Sequence, residues 1–186
     1  GAGPGGGHRS TDPMLRPLPE SPGERWVAAA EQQLKAHNLT SPARRNAYDS
    51  VLAAWQADPT HPRLPAATAA LIGALGDEAA QALGKGDEKR ARGYLDRAAT
   101  LAAKSGRTDV LAPLHARLAK AFDARVADAA AHYDRDAAVR AADAAKAYGL
   151  PPATVAALSK RAHAIPQPGD PLPGESHRLN WKSQVS

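Results

Sequence analysis

The chain is 186 residues long, enough for one domain with tails and a single hydrophobic core. It contains no cysteine, which excludes a disulfide framework and any thiolate metal site, and 44 of its residues are alanine, so large apolar side chains are few. The formal charge is +5; such a surplus attracts nucleic acid or anionic membrane only where it is clustered, and no apolar run approaches the roughly 20 residues of a bilayer span.

Residues 1–23, GAGPGGGHRSTDPMLRPLPESPG, have the composition of a flexible linker. From Arg25 to Ala36 small and apolar residues fall at helical spacing, with Trp26 and Leu34 on one side, and HNLTSP stops that helix. Ser41-Pro42 reads as an N-cap followed by proline at the first helical position, so a second helix is expected from there to about Ala57, where Asp58-Pro59 ends it. Its stripe is Ala47, Val51, Ala54 and Trp55. A third helix is expected from Arg63 or Pro65 to about Leu83, carrying Leu64, Leu71, Leu75 and Ala79. Gly73 and Gly76 weaken it by about 1 kcal/mol each relative to alanine and permit close helix contact.

Gly86 supplies the left-handed residue that ends a helix, and Asp87 and Glu88 put negative charge at the start of the fourth. That helix runs to about Lys104, with Leu95, Ala98 and Leu101 inward, and KSGR is the next turn. A fifth spans Asp109 to His132, with Leu111, Leu114, Leu118, Phe122 and Val126 at three- and four-residue steps; Pro113 moves its regular start to Ala112. The sixth covers Asp136 to Tyr148 and stops at Gly149, and Pro151-Pro152 open a seventh that ends near Ala164. Residues 165–186 are again proline-rich, with Trp181 in the closing HRLNWKSQVS. The expected fold is all-α: about seven helices in antiparallel hairpins over residues 24–164, between two linkers.

No motif in this sequence carries chemistry. A phosphate loop needs G-x-x-x-x-G-K-[ST] between a strand and a helix, whereas Gly84-Lys85-Gly86 is followed by acids and has no strand nearby. Residues 85–107 hold seven basic and three acidic residues, and Lys89 and Arg92 share a helical face, which is the basis for a nucleic-acid reading. The seven histidines form no His-x-x-x-His pair, and the acid pairs fall at helix ends, where capping explains them. We therefore expect no catalytic, cofactor-binding or metal-binding residue. Trp26 and Trp55 are expected in the core or groove of the first hairpin, and the Trp181 tail is a candidate to dock in a groove.

The ends of the second, fourth and sixth helices repeat weakly. Asn46-Ala47 leads to Val51, Ala54 and Asp58-Pro59; Gly86-Asp87 leads to Ala91, Leu95 and Ala98; Asp134 leads to Ala138, Ala142 and Ala145. The pattern Gly-Asp, then alanine, leucine and alanine resembles the second half of a tetratricopeptide repeat. By that resemblance Gly86 and Asp87 match the turn between helices, Ala91, Leu95 and Ala98 the packing positions, and Ala79 the small residue of the preceding helix; in the first copy Ala47, Val51, Ala54 and Pro59 match. The copies are 44 and 47 residues apart, against about 34 in the standard repeat. Residues 39–103 are also similar to the helical region in the extracytoplasmic part of bacterial membrane-anchored serine/threonine kinases and of proteins with a formylglycine-generating-enzyme-like domain.

The resemblance implies a right-handed superhelix of stacked hairpins that binds a protein or peptide, or the chain's own C-terminal tail, and performs no catalysis. It implies a sensor or scaffold in the bacterial periplasm, with the membrane reached only through a segment outside these residues. Partner-binding residues on the inner helices would be Arg44, Arg45, Tyr48, Arg90, Tyr94 and Arg97. The alternative is a basic helical adaptor that binds nucleic acid in the cytoplasm.

Overall fold

In a computed structural model the described residues are 21–167 and 169–170. They form α1 (Glu24–Lys35), α2 (Ala47–Ala57), α3 (Leu64–Gly84), α4 (Glu88–Ser105), a 3-10 turn (Thr108–Leu111), α5 (Ala112–Ala131), α6 (Arg135–Ala147) and α7 (Pro152–His163). There is no strand among the described residues, so the all-α expectation is met. Among them, no helix is long and apolar enough to cross a membrane. Residues 1–20 of the linker expected over 1–23, and the Trp181 tail, lie outside the described residues.

One arrangement of the backbone ends five of these helices. After α3, the Gly86 amide donates to the Leu83 carbonyl and the Asp87 amide to that of Ala82, with Gly86 at φ +78°. The same pair of bonds follows α1 through His37 and Asn38, α4 through Gly106 and Arg107, α5 through Tyr133 and Asp134, and α6 through Gly149 and Leu150. This is the Schellman termination, which satisfies two of a helix's orphan carbonyls and needs a left-handed residue. Glycine fills that place three times, but His37 (φ +61°) and Tyr133 (φ +53°) adopt it as well. Two of the next helices begin alike: the Asp87 carboxylate accepts from the Arg90 amide and that of Asp134 from the Ala137 amide, both at 3.1 Å.

The second helix begins five residues later than Ser41-Pro42 suggests. Asn46 is its N-cap, with Oδ1 accepting from the Asp49 amide at 2.8 Å. Its Nδ2 donates to the Pro42 carbonyl at 2.9 Å and to Asp49 Oδ2 at 2.8 Å, and the Arg44 amide, at φ +68°, donates to that same carboxylate oxygen. Asn46 is almost completely buried and every polar atom of its side chain is used. That full satisfaction outweighs the exposed Ser-Pro cap.

The described residues divide into two compact units, one up to Ala67 and the other from Thr68. In the first, α1 and α2 pack antiparallel around Val27, Ala30, Val51 and Ala54. The hairpin is close enough at its open end that a Cβ on Gly23 would lie 2.9 Å from the Asp58 Cβ. In the second unit the fully buried large side chains include Leu75, Leu101, Leu118, Phe122 and Leu158, each worth about 1.5–3 kcal/mol of burial. Alanine supplies most of what α6 buries, at 138, 141, 142 and 145. The inner stripe of α4 passes through Ala91, Tyr94, Ala98 and Leu101. Tyr94, not Leu95, is the large residue it buries near its start.

Candidate functional site

Within the second unit, α3, α5 and α7 run in one direction and α4 and α6 in the other. Gly76 of α3 faces Leu114 of α5 so closely that a Cβ there would sit 2.7 Å from Leu114 Cδ1. Next to Gly76, Asp77 forms an ion pair with Arg117 of α5, and Arg117 also donates to the Gly73 carbonyl at 3.3 Å. The α5–α7 contact repeats that device, with Asp123 paired to Arg161. An aspartate on one helix thus meets an arginine on the next parallel helix twice in succession.

Beyond Gly76 a cleft of about 760 Å³ opens between α3 and α5 and reaches Asp134 and Ala137 at the start of α6. Its deepest lining residues are the buried Leu83 and Ala129; Ala80, Gly84, Ala121 and Ala124 line its walls, and Lys85, Asp128 and His132 are exposed around it. Arg125 at the edge donates to Glu88 at 3.1 Å. Walls of alanine and glycine leave room for a segment of backbone. The rim supplies charges of both signs.

A smaller pocket of about 110 Å³ lies where α4, the 3-10 turn, the start of α5 and the end of α6 meet. Leu95, Leu111 and Leu114 line it, with Arg92, His115 and Tyr148 at its mouth. Tyr148 is held on three sides: its hydroxyl donates to the Glu88 carbonyl at 3.1 Å, its ring meets Phe122 edge-on at 5.3 Å, and the Arg92 guanidinium lies over it at 5.4 Å. Burial, and then the nearby Glu88 charge, push its phenol above the ordinary tyrosine range. A third, shallow depression of about 510 Å³ includes Arg135, Arg140 and His163, where Arg135 donates to the His163 carbonyl at 2.6 Å.

Neither a protein-family model, nor a curated protein, nor a solved structure matches this chain. What its surface can do follows from its own residues.

The six residues expected to contact a partner have different fates. Arg44 and Arg45 are exposed, but their backbone amides are tied into the turn before α2, that of Arg45 to the Pro42 carbonyl. Tyr48 is half-buried in the first turn of α2. Arg90 is exposed and its guanidinium lies 5.4 Å from the Tyr94 ring centroid. Tyr94 itself is only 7% exposed, so it is a core residue of the second unit and offers little to a partner. The 3.6-residue period explains this: a stripe through Ala91 and Ala98 passes as close to 94 as to 95. Arg97 is half-buried and donates to the Gly93 carbonyl, one turn back on its own helix. None of the six lines the three clefts; on α4, Arg92 and Leu95 do.

The first unit holds a different polar cluster. His61, 4% exposed, accepts at Nδ1 from the Arg63 amide at 3.1 Å, so its proton is on Nε2, which donates to Glu24 at 2.8 Å. Arg63 bridges Glu24 and Glu31 at 2.9 and 3.2 Å. Hydrogen bonds from Arg63 and then His61 lower the Glu24 carboxyl to about 2. Both nitrogens of His61 are hydrogen-bonded, so the ring joins α1 to the start of α3. Trp26 and Trp55 are half-buried, with Arg25 over the Trp26 ring at 4.7 Å. Among the described residues no group of three or more histidine or acidic side chains is placed to hold a metal ion.

Proposed function

We propose that the chain is a non-catalytic, peptide-binding helical-repeat domain whose principal site is the groove between α3 and α5. The observation that carries this reading is the groove itself: about 760 Å³, walled by Ala80, Gly84, Ala121 and Ala124 over the buried Leu83 and Ala129, with the exposed Lys85, Asp128 and His132 around it. Such a channel accepts a backbone and leaves selection to the rim. The repetition of the same turn and aspartate cap 47 residues apart, at 82–90 and 129–137, supports a repeat architecture of the tetratricopeptide kind. The recurring Asp–Arg pair between parallel helices supports it too. In this reading the chain is the sensor or scaffold part of a larger bacterial envelope signalling protein, such as a transmembrane serine/threonine kinase; that setting rests on the resemblance of residues 39–103 alone.

The nucleic-acid alternative needs a shared cationic face. Against it, Arg125 is paired with Glu88 and Arg107 with Asp109 at 2.9 Å, and Asp96 stands on the same helix as Arg92. The test is selection of random displayed peptides on the immobilised chain, followed by calorimetric titration of the enriched sequences. Saturable binding that Ala124→Trp abolishes, at unchanged helix content, is the expected result; failure to enrich any peptide would refute the reading.

A further inference from the structure

The pocket beside Tyr148 is a second, separate feature, and its chemistry is more selective than that of the groove. Its volume of about 110 Å³ and its lining of Leu95, Leu111 and Leu114 suit one branched aliphatic side chain. At its mouth the Arg92 guanidinium is stacked over the Tyr148 ring, and the ring is fixed in turn by Glu88 and Phe122. No carboxylate among the described residues lies within ion-pair distance of Arg92: Glu88 is bonded to Arg125, and Asp96, one turn along α4, lines the pocket without pairing. A cation lying over an aromatic ring, at the edge of a leucine-lined pocket and with no ion-pair partner among the described residues, is an acceptor for an anion.

We propose that this pocket takes an aliphatic side chain of a bound peptide and that Arg92 pairs with an acidic side chain next to it. The inference deepens the peptide-binding reading and rests on it, but it concerns a different surface from the α3–α5 groove. With its Cζ 5.4 Å from the ring centroid, the guanidinium keeps N–H donors that the ring does not use for a carboxylate. Asp96 opposes the incoming acid, so its removal strengthens binding.

The probes are blocked dipeptides: N-acetyl-leucyl-glutamic acid amide, its leucyl-lysine counterpart and its alanyl-glutamic acid counterpart, followed by amide chemical-shift mapping on the full chain. The leucyl-glutamic acid probe is expected to cause saturable shifts at Leu95, Ala99, Leu111 and Leu114. The lysine probe is expected to bind roughly fivefold more weakly, the ratio for about 1 kcal/mol from a partly exposed ion pair, and the alanyl probe not to saturate. Arg92→Gln should erase the preference for acid over base while the melting temperature holds, Asp96→Asn should increase it, and Ala99→Phe should fill the pocket and remove all binding.

Absence of saturable shifts, or equal binding of the acidic and basic probes, would overturn the proposal. If the dipeptides fail while displayed peptides still bind in a manner sensitive to Ala124→Trp, the pocket assignment falls and the groove stands. If both fail, the peptide-binding reading falls with it.

Discussion

Gly86 and Tyr133 occupy the same place in two turns of the same geometry, and exchanging their chemistry gives opposite effects. Left-handed backbone costs an ordinary residue about 1–2 kcal/mol, while glycine loses roughly 0.5–1 kcal/mol more backbone entropy on folding than alanine. At Gly86 (φ +78°), where an added Cβ meets nothing within 4 Å, the clash-free difference remains. Gly86→Ala is therefore expected to destabilise the second unit by about 0.5–1 kcal/mol. Tyr133 (φ +53°) bears the conformational cost already and is 56% exposed, so little burial is lost with its ring. Tyr133→Gly is expected to stabilise by up to about 1 kcal/mol. Urea titration followed by helical circular dichroism reads both; at a slope of about 1–3 kcal/mol per molar, the midpoints move by roughly 0.3–1 M in opposite directions. A loss of about 1 kcal/mol or more for Tyr133→Gly would refute the reasoning, because it would mean that the ring contributes more than its backbone conformation costs.

Other expectations follow from single contacts. The Glu24 carboxyl lies at about 2 in the folded chain against an ordinary 4.5, so its contribution is complete above pH 4.5 and disappears as pH falls toward 2. Glu24→Gln should flatten the dependence of melting temperature on pH across that window; an unchanged acid limb would argue against the Arg63–His61 contacts. Gly23→Ala forces a Cβ to 2.9 Å from that of Asp58 and should cost about 1–3 kcal/mol in a denaturant titration. Gly73→Ala, in open space on α3, should instead add about 0.5–1 kcal/mol; equal effects at the two glycines would contradict the packing described.

The helices are legible in the sequence where a residue both starts or stops the backbone and says so by type. Gly86, Gly106, Gly149 and Asp87 do this, and the ends of α3, α4 and α6 lie within a residue or two of expectation. His37 and Tyr133 make the same terminations without glycine, so nothing in their letters announces it. The start of α2 was hidden because Asn46 wins through bonds to Pro42 and Asp49 that only the folded turn brings together. On α4, two adjacent large residues competed for one stripe, and period alone does not separate Tyr94 from Leu95. The pocket mouth joins Arg92 to Tyr148 from the start of α4 and the end of α6, a pairing set by helix packing and not by spacing. Gly76 gave the one advance sign of the surface, since its missing side chain lets α3 and α5 approach above the groove.

Binding of a selected peptide to the wild-type chain and to Ala124→Trp tests the central claim most directly. Ala124 is exposed on the wall of the α3–α5 groove, so the added indole occupies the channel without entering the core. Calorimetric titration of the two proteins should give saturable binding for the first and none for the second, with matching circular dichroism spectra. Undiminished affinity in the blocked variant would contradict the assignment of the groove as the site.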